Sequence, residues 1–197
     1  MDDPLLGGQS PAEYFKDLVD TALSRQHLRT SDLTEYYLVD LLCRFMRPDR
    51  RIPFNEDVSE PLALRLRRAL ESGGMEQRAR LRNLGDFSLF TSGFFSDSLN
   101  RRAVDVDYYV SMGEYAYGSL GRCDTDAFGK VFTELARKFV AYMDVLADVR
   151  ERTGAAGSTD VLRLYERWLR TGSARDGQRL VERGVVPNAS LATKFLQ

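Results

Sequence analysis

Phe128, Phe132, Leu135, Phe139, Tyr142, Leu146 and Val149 recur four and three residues apart through 125–152. An α-helix turns once in about 3.6 residues, so this alternation puts all seven on one seam. Val131, Ala136 and Met143 widen the seam. A widened seam belongs to a helix covered on several sides rather than to a two-stranded coil. The rest of the chain must then supply the covering helices. The expected fold is all-α: a single-domain helical bundle of about six to eight helices, with a long central helix near 125–152.

Local signals supply those helices. Ser10-Pro11-Ala12-Glu13 reads as a capping box with proline in the first turn. Phe15, Leu18, Ala22 and Leu23 follow at helical spacing. A second helix is predicted from Ser31 to before Pro48. Leu33, Tyr36, Tyr37, Leu38, Leu41, Leu42, Phe45 and Met46 cover most of its circumference, which predicts heavy burial. Residues 48–60 read as a polar, proline-bearing loop. Pro61–Glu71 fits a strand period in part, but its leucine, alanine and arginine content favours a short helix ended by Ser72-Gly73-Gly74. A helix follows from about Met75. Ser158, Thr159 or Asp160 caps a helix carrying Val161, Leu162, Tyr165, Trp168 and Leu169, and a last one runs around Ala174–Arg183 to Gly184. Residues 1–9 are expected to be a flexible N-terminus, 10–184 the domain and 185–197 a tail.

Composition narrows the function. Hydrophobic residues make up 43% of the 197, enough for a core without disulfides or a structural metal. Cys43 and Cys123 form no C-x-x-C pair and read as reduced thiols. A net charge of −1 gives no bulk attraction to nucleic acid, which is not an expected partner. The acidic N-terminus has no basic leader region, and no apolar run nears the roughly 20 residues that cross a bilayer. A cytoplasmic protein without membrane contact is expected. The lone His27 cannot build a His-rich metal site, and G-x-G-x-x-G, Walker A, G-x-S-x-G and H-E-x-x-H motifs are absent from the sequence. No catalytic residue, cofactor or metal is predicted.

Leu84–Leu120 concentrates aromatics, glycines and aspartates. On a helix through 75–92, Gly85, Ser88 and Ser92 share a small face beside a ridge of Leu84, Phe87, Phe90 and Phe94. A helix near 105–120 is apolar or small all round, as a buried helix is. A strand through "VDVDYYV" is the lesser alternative. Buried tyrosine hydroxyls need partners, and Asp86, Asp105 and Asp107 are the nearest acceptors. In the packing reading Asp105 caps the helix and Asp107 meets its dipole. In the other reading Asp86, Ser88, Asp105, Asp107, Tyr108, Tyr109, Tyr115 and Tyr117 line a pocket for a polar ligand or a cation.

L-G-D-x-x-L-F at 84–90, G-F-F at 93–95 and D-x-D-Y-Y at 105–109 resemble a group of uncharacterised bacterial all-helical proteins, with a weaker echo in "LVERGVVP" at 180–187. The resemblance implies a helical fold and supplies no catalytic residue or cofactor. Arg65, Arg68, Arg78, Arg80 and Arg82 surround the Ser72–Gly74 turn and are the candidate surface for an acidic partner. The functional expectation is a non-enzymatic helical module that binds another protein. A small-molecule-binding or enzymatic domain using 84–120 is the alternative.

Overall fold

The computed structural model describes residues 10–45, 60–95, 105–123, 126–154 and 161–186, without the side chains at 162 and 163. The expectations for residues 1–9, for nearly all of the 48–60 loop and for most of the tail lie outside them. All regular elements among the described residues are helices: α1 (Pro11–Arg25), α2 (Asp32–Phe45), α3 (Leu62–Glu71), α4 (Gly74–Phe94), α5 (Val106–Cys123), α6 (Ala127–Arg137), α7 (Phe139–Arg152), α8 (Val161–Thr171) and α9 (Ala174–Glu182). The all-α bundle is therefore the fold, with nine described helices.

α1 begins at the predicted capping box. Ser10 Oγ accepts the Glu13 N–H at 3.3 Å, and Glu13 returns an oxygen to the Ser10 N–H at 2.8 Å. α4 and α5 form the most extensive pair, and α6 lies along α5. α7 packs on α4 and carries α1, which pairs with α2. α3 lies against α4 and α5, and the α8–α9 hairpin leans on α5 through α8. Tyr117, Phe139, Tyr142, Leu135 and Leu146 are fully buried at the centre. Each such side chain stabilises the fold by about 1.5–3 kcal/mol through burial.

Three expectations change. The helix near 125–152 is two helices, broken at Lys138, which adopts φ −115° and ψ 25°. Lys138 Nζ reaches out of the seam to the Arg29 carbonyl at 2.5 Å and to Glu134 at 2.8 Å. The seam itself survives the break, because Phe132, Leu135, Phe139, Tyr142, Leu146 and Val149 are all buried. Phe128 lies in the first turn of α6 and is half exposed, so the buried part of the seam begins at Val131 and Phe132. On α2, the contacts with α1, α4 and α6 leave one strip open, and Leu33 and Tyr36 lie on it, Tyr36 at 68% exposure.

Candidate functional site

The aromatic stretch is closed by packing. An ideal Cβ placed on Gly113 of α5 would stand 2.3 Å from the Phe139 ring and 3.1 Å from Ser88 Cβ. One on Gly85 would stand 2.6 Å from the Tyr117 ring, and one on Gly93 2.6 Å from Leu146 Cβ. These distances leave no room for a methyl group, so neighbouring helices approach closely at Gly85 of the predicted small face and at Gly93 and Gly113 beside it.

Asp86 sits in the middle of α4 with no solvent exposure. Its Oδ1 accepts hydrogen bonds from the Tyr37 hydroxyl at 2.6 Å and the Tyr117 hydroxyl at 2.7 Å. Its Oδ2 accepts from Arg44 Nη1 at 2.9 Å. Arg82, one turn earlier on α4, donates from Nε to the Tyr37 oxygen at 3.1 Å and lies 3.8 Å from Oδ2. Both guanidiniums also stand over the Tyr37 ring. Burial first, and then the Asp86 charge, push the Tyr37 and Tyr117 hydroxyls well above the ordinary tyrosine range. They are hydrogen-bond donors, not bases, at any physiological pH.

The other sequence-predicted pocket residues do not converge on this node. Ser88 is buried against Gly113 and Tyr109 against Phe87. The Tyr108 oxygen accepts the Ala63 N–H at 2.7 Å, tying α5 to the start of α3. Asp105 pairs with Arg170 at 2.5 Å, Asp107 is exposed in the first turn of α5, and Tyr115 is 46% exposed. The basic candidates divide as well. Arg65 is buried over the Phe87 ring, and Arg82 turns toward Tyr37 and Asp86. Arg68 pairs with Glu60, Arg80 pairs with Glu76, and Arg78 reaches the Cys123 carbonyl.

An open groove of about 1440 Å³ runs along α1 and α2. Leu23, Leu28, Val39 and the exposed Tyr36 give it an apolar bed. Glu13, Asp20, Asp32 and Glu35 rim it against Lys16 and Arg29. Lys16 lies between Asp20 at 3.0 Å and Glu35 at 3.6 Å. Partial burial and the neighbouring Asp20 raise the Glu35 carboxyl above its ordinary range. One lysine is therefore shared by two crowded acids.

Sequence reading missed a second buried polar cluster, at the α8–α9 turn. Ser173 caps α9, its Oγ accepting the Asp176 N–H at 3.0 Å and donating to the Asp144 carboxylate of α7 at 2.7 Å. Arg167 of α8 grips Asp176 with two donors at 2.5 and 2.6 Å. Burial, then the nearby Asp176 charge, push the Asp144 carboxyl up to about 7. The sequence predicts only a helix around Ala174–Arg183 there; Asp144 lies 29 residues from Ser173 on α7, and Arg167 lies 9 residues from Asp176 on α8.

No family model matches this chain, and neither a curated protein nor a solved structure is similar to it. Among the described residues no helix is long and apolar enough to cross a membrane.

Proposed function

We propose that this chain is a helical protein-interaction module whose α1–α2 groove takes a basic segment of another protein. A single contrast supports this. The tyrosine-rich stretch spends its glycines on close packing and its Asp86 on internal donors, while the acid-rimmed groove stays open. A lysine or arginine side chain entering the groove would meet Asp20 and Glu35, which share one cation. Its aliphatic stem, or a neighbouring apolar residue, would cover Tyr36 and Val39.

A photo-crosslinking phenylalanine in place of Tyr36 tests the proposal in extracts of the source cell. The expected product is an adduct to a lysine- or arginine-rich segment, lost when Asp20→Lys and Glu35→Lys are combined. The same crosslinker in place of Met75, which is 86% exposed on α4, should not form it. An adduct that survives the charge reversal, or forms equally from both positions, contradicts the groove.

A further inference from the structure

The sole histidine of the sequence adopts a backbone conformation that side chains rarely take. His27 has φ 51°, the left-handed region usual for glycine, and is the one non-glycine residue there among the described residues. It follows the C-cap of α1, where the Leu28 N–H returns to the Leu23 carbonyl at 3.0 Å. Glycine would satisfy that turn at less strain. The histidine also lines a second concavity, a cleft of about 490 Å³ between the end of α1, the α6–α7 junction and the start of α9.

Cations and donors gather in this cleft. Arg25, Arg137, Lys138 and Arg175 line it, against the carboxyls Glu114 and Asp144. Arg137 is exposed and forms no ion pair among the described residues. Arg25 holds Asp148 at a loose 3.4 Å. Arg175 is nine-tenths buried and spans from Glu151 toward Asp176. Gln26 also lines the cleft, and its Nε2 is buried without an acceptor among the described residues. Ala174, the first residue of α9, brings the positive end of that helix to the wall. Of the opposing acids, Asp144 has its carboxyl pushed up to about 7 and Glu114 is raised by burial. Both changes reduce the negative charge that an anion would meet.

We infer that this cleft binds a small phosphate-bearing anion, with Arg25, Arg137 and His27 as its outer contacts. Arg137, without an ion pair among the described residues, and Arg25, held only loosely by Asp148, offer guanidinium forks that match phosphate oxygens. The volume admits a small molecule. The cleft is separate from the core of the α1–α2 groove, although His27 and Leu28 border both.

Because the chain has one histidine, its imidazole C2 proton gives a single NMR reporter inside the cleft. The full chain is titrated with inorganic phosphate against chloride at matched ionic strength, then with glycerol phosphate and with acetate. The expected result is a saturable shift of the His27 signal with both phosphates and a weaker one with acetate. Arg137→Ala should weaken phosphate by about tenfold, since it removes a charge-assisted contact with no structural partner to lose. Arg80→Ala, on α4 and paired with Glu76, should leave binding unchanged. His27→Gly, followed by phosphorus line broadening, should keep the fold at least as stable while weakening phosphate. A shift that chloride reproduces, an acetate response equal to phosphate, or binding that Arg137→Ala leaves intact would each overturn the inference.

Discussion

Two buried carboxylates of this bundle live under different conditions. Asp86 meets two tyrosine hydroxyls and a guanidinium, with Arg82 close behind. Asp144 receives one serine hydroxyl, 2.7 Å from each of its oxygens, and faces a second carboxylate at Asp176. Both are almost fully inaccessible. Burial therefore does not fix what a carboxyl contributes; the number and charge of its donors does. The Asp86 side chain ties α2, α4 and α5 together, because it stands on α4 and its hydrogen-bond partners come from α2 and α5. Asp144 joins α7 to the start of α9 at an electrostatic cost, because its carboxyl prefers the proton.

Removing each group tests this contrast. The largest effect is expected from Asp86→Ala. It strands two hydroxyls and two guanidiniums in or near the core, and about 3–5 kcal/mol of stability should be lost in urea denaturation. Phe139→Ala should cost a similar amount, about 3–5 kcal/mol, for a ring buried against Tyr117 and Gly113. If Asp86→Ala instead unfolds at the parent's urea concentration, the node is not structural.

Asp144→Asn should act with the opposite sign. A carboxyl whose folded pKa is about 7, above its unfolded value of 3.8, binds a proton in the folded state that the unfolded chain has released. Stability from this group is full below about pH 4 and falls as pH rises to about 7. The asparagine variant should thus match or exceed the parent at pH 8 and lose that advantage at pH 4. Glu134 supplies the contrary slope. Despite partial burial, hydrogen bonds from Lys138, Thr34, Ser31 and Tyr142 hold it down to about 2, so its contribution is lost as pH falls from about 4.5 toward 2. Urea midpoints at pH 3, 4, 6 and 8 (roughly the limits of these two windows) should describe a curve that Asp144→Asn flattens on its alkaline side and Glu134→Gln on its acid side. A parent curve that rises between pH 4 and 7, unchanged by Asp144→Asn, would contradict the assignment.

A smaller effect is expected from Tyr117→Phe. Asp86 Oδ1 keeps its Tyr37 donor, so about 1–2 kcal/mol is expected. Tyr115→Phe, at a half-exposed position, should change the melting temperature little and serves as the matched control.

Sequence periodicity carried most of the fold. The capping box, the buried seam and the small face of Gly85, Ser88 and Ser92 are all visible as local spacing, and each occupies the expected place. The site was half legible. Asp86 is one of three acceptors, with Asp105 and Asp107, that the sequence offers to the tyrosines of α5, but Tyr37 is 49 residues from it, and nothing local joins the two. The same holds for Asp144 and Ser173, 29 residues apart. Periodicity also misjudged exposure at the edges. Leu33, Tyr36 and Phe128 continue apolar patterns, yet they are exposed, because periodicity names a face and not which faces the neighbouring helices cover. The break at Lys138 left no mark because the seam passes through it without interruption and neither proline nor glycine occupies the site.

The central claim is that α4 and α5 meet their neighbours, at Gly85, Gly93 and Gly113, in a closed packing interface. Gly113→Ala tests it most directly, because one methyl group is asked to occupy a point 2.3 Å from the Phe139 ring. The account predicts a lower urea midpoint, a loss of about 1–3 kcal/mol by overpacking. It also predicts partial recovery when Phe139→Leu is added, the two changes being coupled rather than additive. A Gly113→Ala protein that unfolds with the parent, and shows no coupling to Phe139→Leu, would mean that space exists between α5 and α7 where the account places none.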